Sequence, residues 1–188
     1  MLDVQSRWAQ LHNTMPALRL YALVDGVQYQ TQLCKRFQPG SGLFPLFAGT
    51  PDSALAHAGP WLVDAAIAGD ATVAELATLE RDAPSLTWLI APQDLEGLGQ
   101  LLQLRLDVNL PDGRSALLRF WDPRVLVNLA RTLDGAQREE FFGHIHEWHL
   151  LHEGQSVELS SLAAQLLDSI APLADLLDQS HGGDAHAA

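Results

Sequence analysis

The apolar segment LRLYALV, at residues 18–24, is the feature that most constrains the fold of this chain. Asp25 and Gly26 end this run, and a short apolar run bounded by turn residues predicts a mostly buried β-strand. Similar runs predict further strands at residues 43–48, 61–63 and 87–91. Segments with helical spacing lie between them. The sequence therefore predicts an α/β (α+β) fold, a single domain in which helices flank a mixed β-sheet.

Capping residues and apolar positions at helical spacing indicate the helices. Thr72 and Glu75 have the form of a capping box, and Asp94 is expected to cap the next helix. Other helices are expected at residues 2–13, 29–37 and 134–142. Alternation from Leu104 to Leu110 predicts a strand, and Asp112-Gly113 predicts a hairpin turn into a second strand at residues 116–121.

The stretch RFWDPRVL, residues 119–126, predicts the start of a helix. Asp122 is expected to be the N-cap, and Pro123 falls at the first helical position, where its fixed φ is favourable. Arg119 and Arg124 flank that aspartate. A guanidinium group suits either an internal carboxylate, such as that of Asp25, or an acidic group on a partner. Internal pairing is the expected arrangement, and the sequence leaves the other one open.

The histidine-rich segment HIHEWHLLH, residues 144–152, raises the question of a metal site. On a helix, His146, His149 and His152 would share one side, as zinc ligands do. On a strand that leads into a turn at Glu153-Gly154, His149 would point away from the other two. The strand is the favoured interpretation, so we expect no metal and no other cofactor.

The C-terminal segment carries an apolar stripe at helical spacing, which predicts an amphipathic helix at residues 160–179. Its possible contacts with a partner helix are Leu162, Leu166, Ile170, Leu173 and Leu177. Residues 180–188 are small and polar, and we expect them to be disordered. The expected organisation is therefore an α/β domain at residues 1–159, this short helical appendage, and a tail.

Composition limits the classes of partner. With 11 Lys and Arg against 23 Asp and Glu, the net charge of −12 disfavours binding to nucleic acid or to a membrane surface. The single cysteine, Cys34, forms no disulfide within the chain. No secretory signal is visible at the N-terminus, so a cytoplasmic location is expected.

Five ordered blocks of this sequence resemble the type VI secretion effector chaperones, which are also called effector adaptors. The blocks span residues 18–145. They are LYALVDG, LFAGTPDSAL with PWLV, LPDGR, RFWDPRVL and FFG. The C-terminal part is shorter than in many relatives, which often carry a larger helical lobe there.

The resemblance implies binding rather than catalysis. Members of that family bind a toxin effector in the cytoplasm, often by its N-terminal segment, stabilise it and help load it onto the secretion spike protein. The positions that match the family and either define the fold or contact the partner are Asp25, Arg119, Trp121, Asp122, Pro123 and Arg124. The alternative is a small hydrolase or a metal-dependent enzyme that uses the histidine-rich segment 144–152.

Overall fold

The computed structural model describes residues 4–110 and 112–160. In this part of the chain the strands are β1 (Arg19–Asp25), β2 (Leu43–Pro45), β3 (Pro60–Asp64), β4 (Leu86–Ala91), β5 (Asp107–Asn109), β6 (Ser115–Leu117), β7 (Glu147–His152) and β8 (Gln155–Leu159). The helices are α1 (Val4–Thr14), α2 (Gly26–Leu33), α3 (Ala65–Ala68), α4 (Asp70–Asp82), α5 (Leu95–Gln103), α6 (Pro123–Thr132) and α7 (Gly135–Phe142), with a 3-10 turn at Ser53–Leu55.

Six strands form one sheet in the order β2-β3-β1-β4-β7-β8, and β5 and β6 form a separate two-stranded ribbon. The first strand of the chain lies near the centre of the sheet, where Ala22 is opposite Val63 of β3 on one side and Trp88 of β4 on the other. The predicted α/β fold, with helices flanking a sheet, is confirmed. All strand pairs are antiparallel rather than mixed.

Strand β1 is buried on both sides of the sheet, as its nearly continuous apolar sequence predicted. Side chains alternate between the two sides of a strand. Tyr21 and Leu23 therefore belong to one core cluster, and Leu20, Ala22 and Val24 belong to the other. The two sides of the sheet thus have separate hydrophobic cores.

Helices α5, α6 and α7 cover one side of the sheet, which we call the closed face. Its core is rich in buried aromatic side chains, namely Phe47, Phe120, Trp121, Phe142 and Trp148. The rings of Phe142 and Trp148 meet edge to face, with centroids 5.5 Å apart. Helix α6 buries Leu126, Val127 and Ala130 against this core.

Helices α1, α2, α3 and α4 lie on the other side, which we call the open face. Helix α4 packs as the apolar spacing of its sequence predicted and buries Val73, Leu76 and Leu79. Helix α1 is different, because none of its residues is buried. It contacts the core only through the partly buried side chains of Val4, Trp8 and Leu11.

The strands expected at residues 43–48 and 116–121 are shorter, at Leu43–Pro45 and Ser115–Leu117, and the helix expected at 29–37 is Gly26–Leu33. Two further local predictions are wrong. Thr72 is not a cap, because α4 already begins at Asp70, and Glu75 accepts hydrogen bonds from Tyr29 and Lys35 instead of reaching back to the helix start. The alternating segment 104–110 is a strand only at Asp107–Asn109, because α5 continues to Gln103 and the following residues form turns.

Candidate functional site

The motif at residues 119–126 forms the junction at which α6 begins. An Asp122 carboxylate oxygen accepts the backbone N–H of Arg124 at 3.0 Å, and Pro123 occupies the first turn, as predicted. The Arg124 side chain returns to the same carboxylate, with its Nε 3.0 Å from Oδ1 and its Nη2 2.7 Å from Oδ2. One aspartate therefore caps the helix and pairs with a guanidinium group.

A second aspartate joins the same junction from the end of β1. Asp25 is 3% exposed and accepts the backbone N–H of Gln28 at 3.0 Å, so it caps α2. Its other oxygen lies 3.5 Å from Nη2 of Arg119, the internal pair that the sequence suggested. The neighbouring Gly26 approaches the backbone closely, because a Cβ there would lie 2.4 Å from the carbonyl oxygen of Gly59.

Aromatic packing fixes the position of the motif. Trp121 is buried between the rings of Phe47 and Phe120, with centroids 5.6 Å and 6.0 Å away. The guanidinium carbon of Arg119 lies 5.9 Å from the centroid of the Trp121 ring, within the range of a cation–π contact. The structure thus brings together all six positions that the sequence singled out in this region.

Electrostatics at the junction favour the ionised carboxylate of Asp122. Burial opposes ionisation, but hydrogen bonds from Arg124 and the positive charges of Arg124 and Arg119 outweigh it and lower the pKa of Asp122. The side chains of Arg119 and Arg124 remain 58% and 60% exposed. The carboxylates hold the fold, while the outer parts of both guanidinium groups are accessible to a partner. Which of these roles matters for function stays a prediction.

The predicted partner-helix residues Leu162, Leu166, Ile170, Leu173 and Leu177 lie outside the described residues, as do most of the predicted C-terminal helix and the tail at 180–188.

The histidine-rich segment is a strand, as predicted, at Glu147–His152. A two-residue turn follows it, in which Glu153 and Gly154 both have positive φ, as hairpins of this length require. His149 lies on the open face and its Nε2 is 2.8 Å from an oxygen of Glu147. The zinc-like arrangement of three histidines on one helix side is therefore not formed.

One group in the described part of the chain has the donors to hold a metal ion, namely Glu147, His149 and Glu158. Glu147 is already occupied, because the side chain of Arg7 donates to both of its oxygens, with Nε 3.0 Å from Oε2. Burial raises the pKa of Glu147, but the hydrogen bonds from Arg7 and His149 outweigh this and lower it. A metal ion would have to displace the Arg7 guanidinium group.

The contact between Arg7 and Glu147 was not found from the sequence. The two residues are 140 positions apart, and neither lies in a recognisable motif. The only signal in the sequence was the position of Arg7 near the start of a short helix. Basic residues are common on exposed helix faces, so this position did not indicate a partner.

Comparison with known proteins gives one extended match and one short one. A model of a family described as a domain of unknown function (DUF4123) matches residues 20–140, which is more than half of the chain. Over 38 residues the chain is 68% identical to a glutamate–cysteine ligase of Pseudomonas fluorescens strain Pf0-1 and 63% identical to that of strain ATCC BAA-477 / NRRL B-23932 / Pf-5.

The ligase match covers 20% of this chain and 7% of either ligase. No solved structure matches the chain. Among residues 4–110 and 112–160, none of the helices combines the length and apolar character needed to cross a bilayer. The family match, by contrast, runs from β1 through most of α7 and includes the whole junction around Asp122. The chain therefore belongs to the family of the domain of unknown function DUF4123.

Proposed function

We propose that this chain is a cytoplasmic chaperone, or adaptor, that binds a toxin effector of a type VI secretion system, stabilises it and helps load it onto the spike protein. The observation that carries the proposal is the ordered series of blocks from LYALVDG to FFG, which resembles the effector chaperones. Four of these blocks lie wholly within the region that matches the family model, and the last one begins just beyond it.

The difference between the two faces of the sheet supports a binding role. The closed face has a core of buried aromatic side chains, whereas on the open face α1 has no buried residue and the nearby Ile67 is 55% exposed. A binding protein needs such accessible apolar surface, because burial of apolar area is the main favourable term in most associations. The acidic charge of −12 favours a partner segment with compensating basic groups.

Co-expression with a candidate toxin effector from the same organism tests the proposal. We expect the toxin to co-purify with the chain, to be more soluble in its presence, and to lose secretion when the gene is deleted. A toxin that is soluble alone, fails to co-purify and is still secreted after the deletion would exclude the adaptor role.

The alternative, a metal-dependent enzyme, would depend on the group of Glu147, His149 and Glu158. Elemental analysis of protein purified without a metal-affinity tag separates the two functions. We expect less than stoichiometric zinc, because Arg7 already neutralises Glu147. One equivalent of zinc per chain that disappears in the His149→Ala variant, but persists in a matched His57→Ala variant, would favour the enzyme.

A further inference from the structure

A groove of about 410 Å³ is formed where the β5–β6 ribbon meets α5 and α7, two of the helices that cover the closed face. Leu104 lines this groove and is 83% exposed, although leucine is among the residues most often buried. The other apolar side chains of the lining are only partly buried. They are Leu101, Val108, Leu118, Leu133 and Phe141. The groove therefore presents apolar surface that residues 4–110 and 112–160 leave uncovered.

Arg105 joins the two helices that line this groove. Its Nε donates to the carbonyl oxygen of Phe141 in α7 at 2.9 Å, and its Nη1 donates to that of Leu101 in α5 at 2.7 Å. The guanidinium carbon also lies 5.4 Å from the centroid of the Phe141 ring, within the range of a cation–π contact. The groove is consequently held in shape without an occupant, which reduces the ordering cost of binding.

Strand β8 ends close to this groove. Leu159, the last residue of the strand, is opposite Trp148 of β7 and is 1% exposed in the closed-face core. The Trp148 ring stacks on the ring of Phe141, with centroids 6.2 Å apart, and Phe141 lines the groove. Two stacked rings therefore connect the end of β8 with the groove, so the segment that follows begins within reach of it.

The sequence after β8 has the apolar spacing that suits such a groove. Leu162 comes three residues after Leu159, and three extended residues span about 10 Å. Leu166 and Ile170 continue the apolar stripe at intervals of four, which places all three side chains on one face of a helix. Pro172 ends this stretch, because proline interrupts the backbone hydrogen bonds of a helix.

The charges of this segment do not oppose docking. Asp107 and Glu140 are exposed carboxylates of the lining and would repel an acidic side chain that faced them. The acidic residue that precedes Pro172 in the segment is Asp168, two positions beyond Leu166 and therefore about 200° around a helix. It points away from the groove when the stripe faces it. The match between the segment and the groove is therefore an apolar one.

We propose that residues 161–171 dock in this groove as an amphipathic helix, with their apolar stripe against Leu104, Leu118 and Phe141. The occupant is a segment of the same chain, because it follows β8 directly and a tethered segment has a high effective concentration at a nearby site. The inference goes beyond the proposed function and does not depend on it. It implies that the free chain covers its own stripe, so that a partner has to compete for it.

A peptide titration with full-length protein tests this docking. The probe is a fluorescein-labelled peptide of residues 160–179, and the receptor is either the wild type or the Leu166→Asp variant, whose own stripe carries a charge. We expect the peptide to bind the variant about tenfold or more tightly than the wild type, because the wild-type groove is already filled. Adding Leu104→Asp to this variant should remove the binding, since the new charge lies in the groove.

Matched aspartate substitutions away from the stripe and the groove control for the added charge. Ala164 is two positions before Leu166, on the opposite side of a helix, so Ala164→Asp should bind the peptide as weakly as the wild type does. Ile67→Asp, added to Leu166→Asp, changes an open-face residue that is 55% exposed and should alter binding by less than about twofold. The proposal is overturned if the wild type binds as tightly as Leu166→Asp, if neither binds, or if Leu104→Asp leaves the binding intact.

Hydrogen exchange measures the same contact within one chain. The amide of Leu118 donates to the carbonyl oxygen of Leu106 at 2.7 Å and holds the ribbon beside the groove. We expect Leu166→Asp to speed exchange in the ribbon and at the end of α5, while exchange in α4 on the open face stays the same. Equal exchange of the ribbon in Leu166→Asp and Ala164→Asp would contradict the docking.

The same variants identify a different occupant of the groove or of the stripe. If the wild type self-associates and Leu166→Asp dissociates it, a second copy of the chain binds the stripe, and docking within one chain is overturned. If a candidate toxin binds the wild type and Ala164→Asp but not Leu166→Asp, while ribbon exchange is equal in all three proteins, the stripe contacts the toxin. That result would also overturn the proposal.

Discussion

The two faces of the central sheet are built from the same strands but packed differently. On the closed face, α6 buries four of its residues and the core includes Phe120, Phe142 and Trp148 with no exposed surface. On the open face, α1 buries none and is held by polar contacts at its edges. Both faces have a buried core, but α6 is packed into the core of the closed face, whereas α1 lies on the surface of the open face.

The largest expected effect is a difference between matched leucines in helices on the two faces. Leu126→Ala in α6 removes a fully buried side chain, and we expect the free energy of unfolding to fall by about 3 kcal/mol. Leu11→Ala in α1 removes a partly buried one, and we expect a loss of about 1 kcal/mol or less. Urea denaturation measures the free energy of unfolding of both variants. Equal losses would show that α1 is as tightly packed as α6 and would break the comparison.

The next effect concerns the ion pair that anchors α1 on the open face. Arg7→Ala leaves the buried carboxylate of Glu147 without its cation, and we expect a loss of about 1–2 kcal/mol at pH 7, a reduced value because Arg7 is partly exposed. The matched control is Arg114→Ala, which breaks an exposed pair with Asp112 and should cause no measurable change.

The pH dependence of the same pair gives a sharper test. Folding lowers the pKa of Glu147, so its contribution to stability is present above the unfolded pKa of about 4.3 and is lost as the pH falls through the lower folded pKa. Unfolding of the wild type should therefore become easier below about pH 4. Arg7→Ala should show a flatter dependence over that window. Parallel curves for the two proteins would contradict the role of Arg7.

The smallest expected effect is the loss of stability when a helix cap is removed, which should differ between the two faces. Asp122→Ala removes the cap of the ten-residue helix α6, and we expect a loss of about 1 kcal/mol with no effect on any chemistry. Asp64→Ala removes the cap of the four-residue helix α3, where we expect a smaller loss because less helix depends on it. An unchanged denaturation midpoint for Asp122→Ala would mean that this carboxylate serves something other than the cap, such as a partner.

Local patterns predicted much of this fold because their causes are local. The run LYALV, the Asp122-Pro123 cap and the turn at Glu153-Gly154 each depend on neighbouring residues, and each is present. Thr72 and Glu75 satisfied the same kind of pattern, but tertiary contacts of Glu75 with Tyr29 and Lys35 took the place of the expected capping box.

Features that depend on distant parts of the chain were not predictable in this way. The direction of each strand and the contact of Arg7 with Glu147 arise only when separate elements meet. The contact between Asp25 and Arg119 was partly predictable, because the two opposite charges were visible in the sequence and only the distance between them was unknown.

The central position of β1 has a consequence for how the chain folds during synthesis. Six of its seven residues are buried, yet its two neighbours, β3 and β4, are made much later. The emerging apolar strand therefore has no native partner until residue 64 has left the ribosome, and its second edge stays unpaired until residue 91 follows. Because such long-range pairing is slow, premature termination before β4 would leave an aggregation-prone fragment. A protein proposed to shield an unstable partner thus has a vulnerable stage of its own.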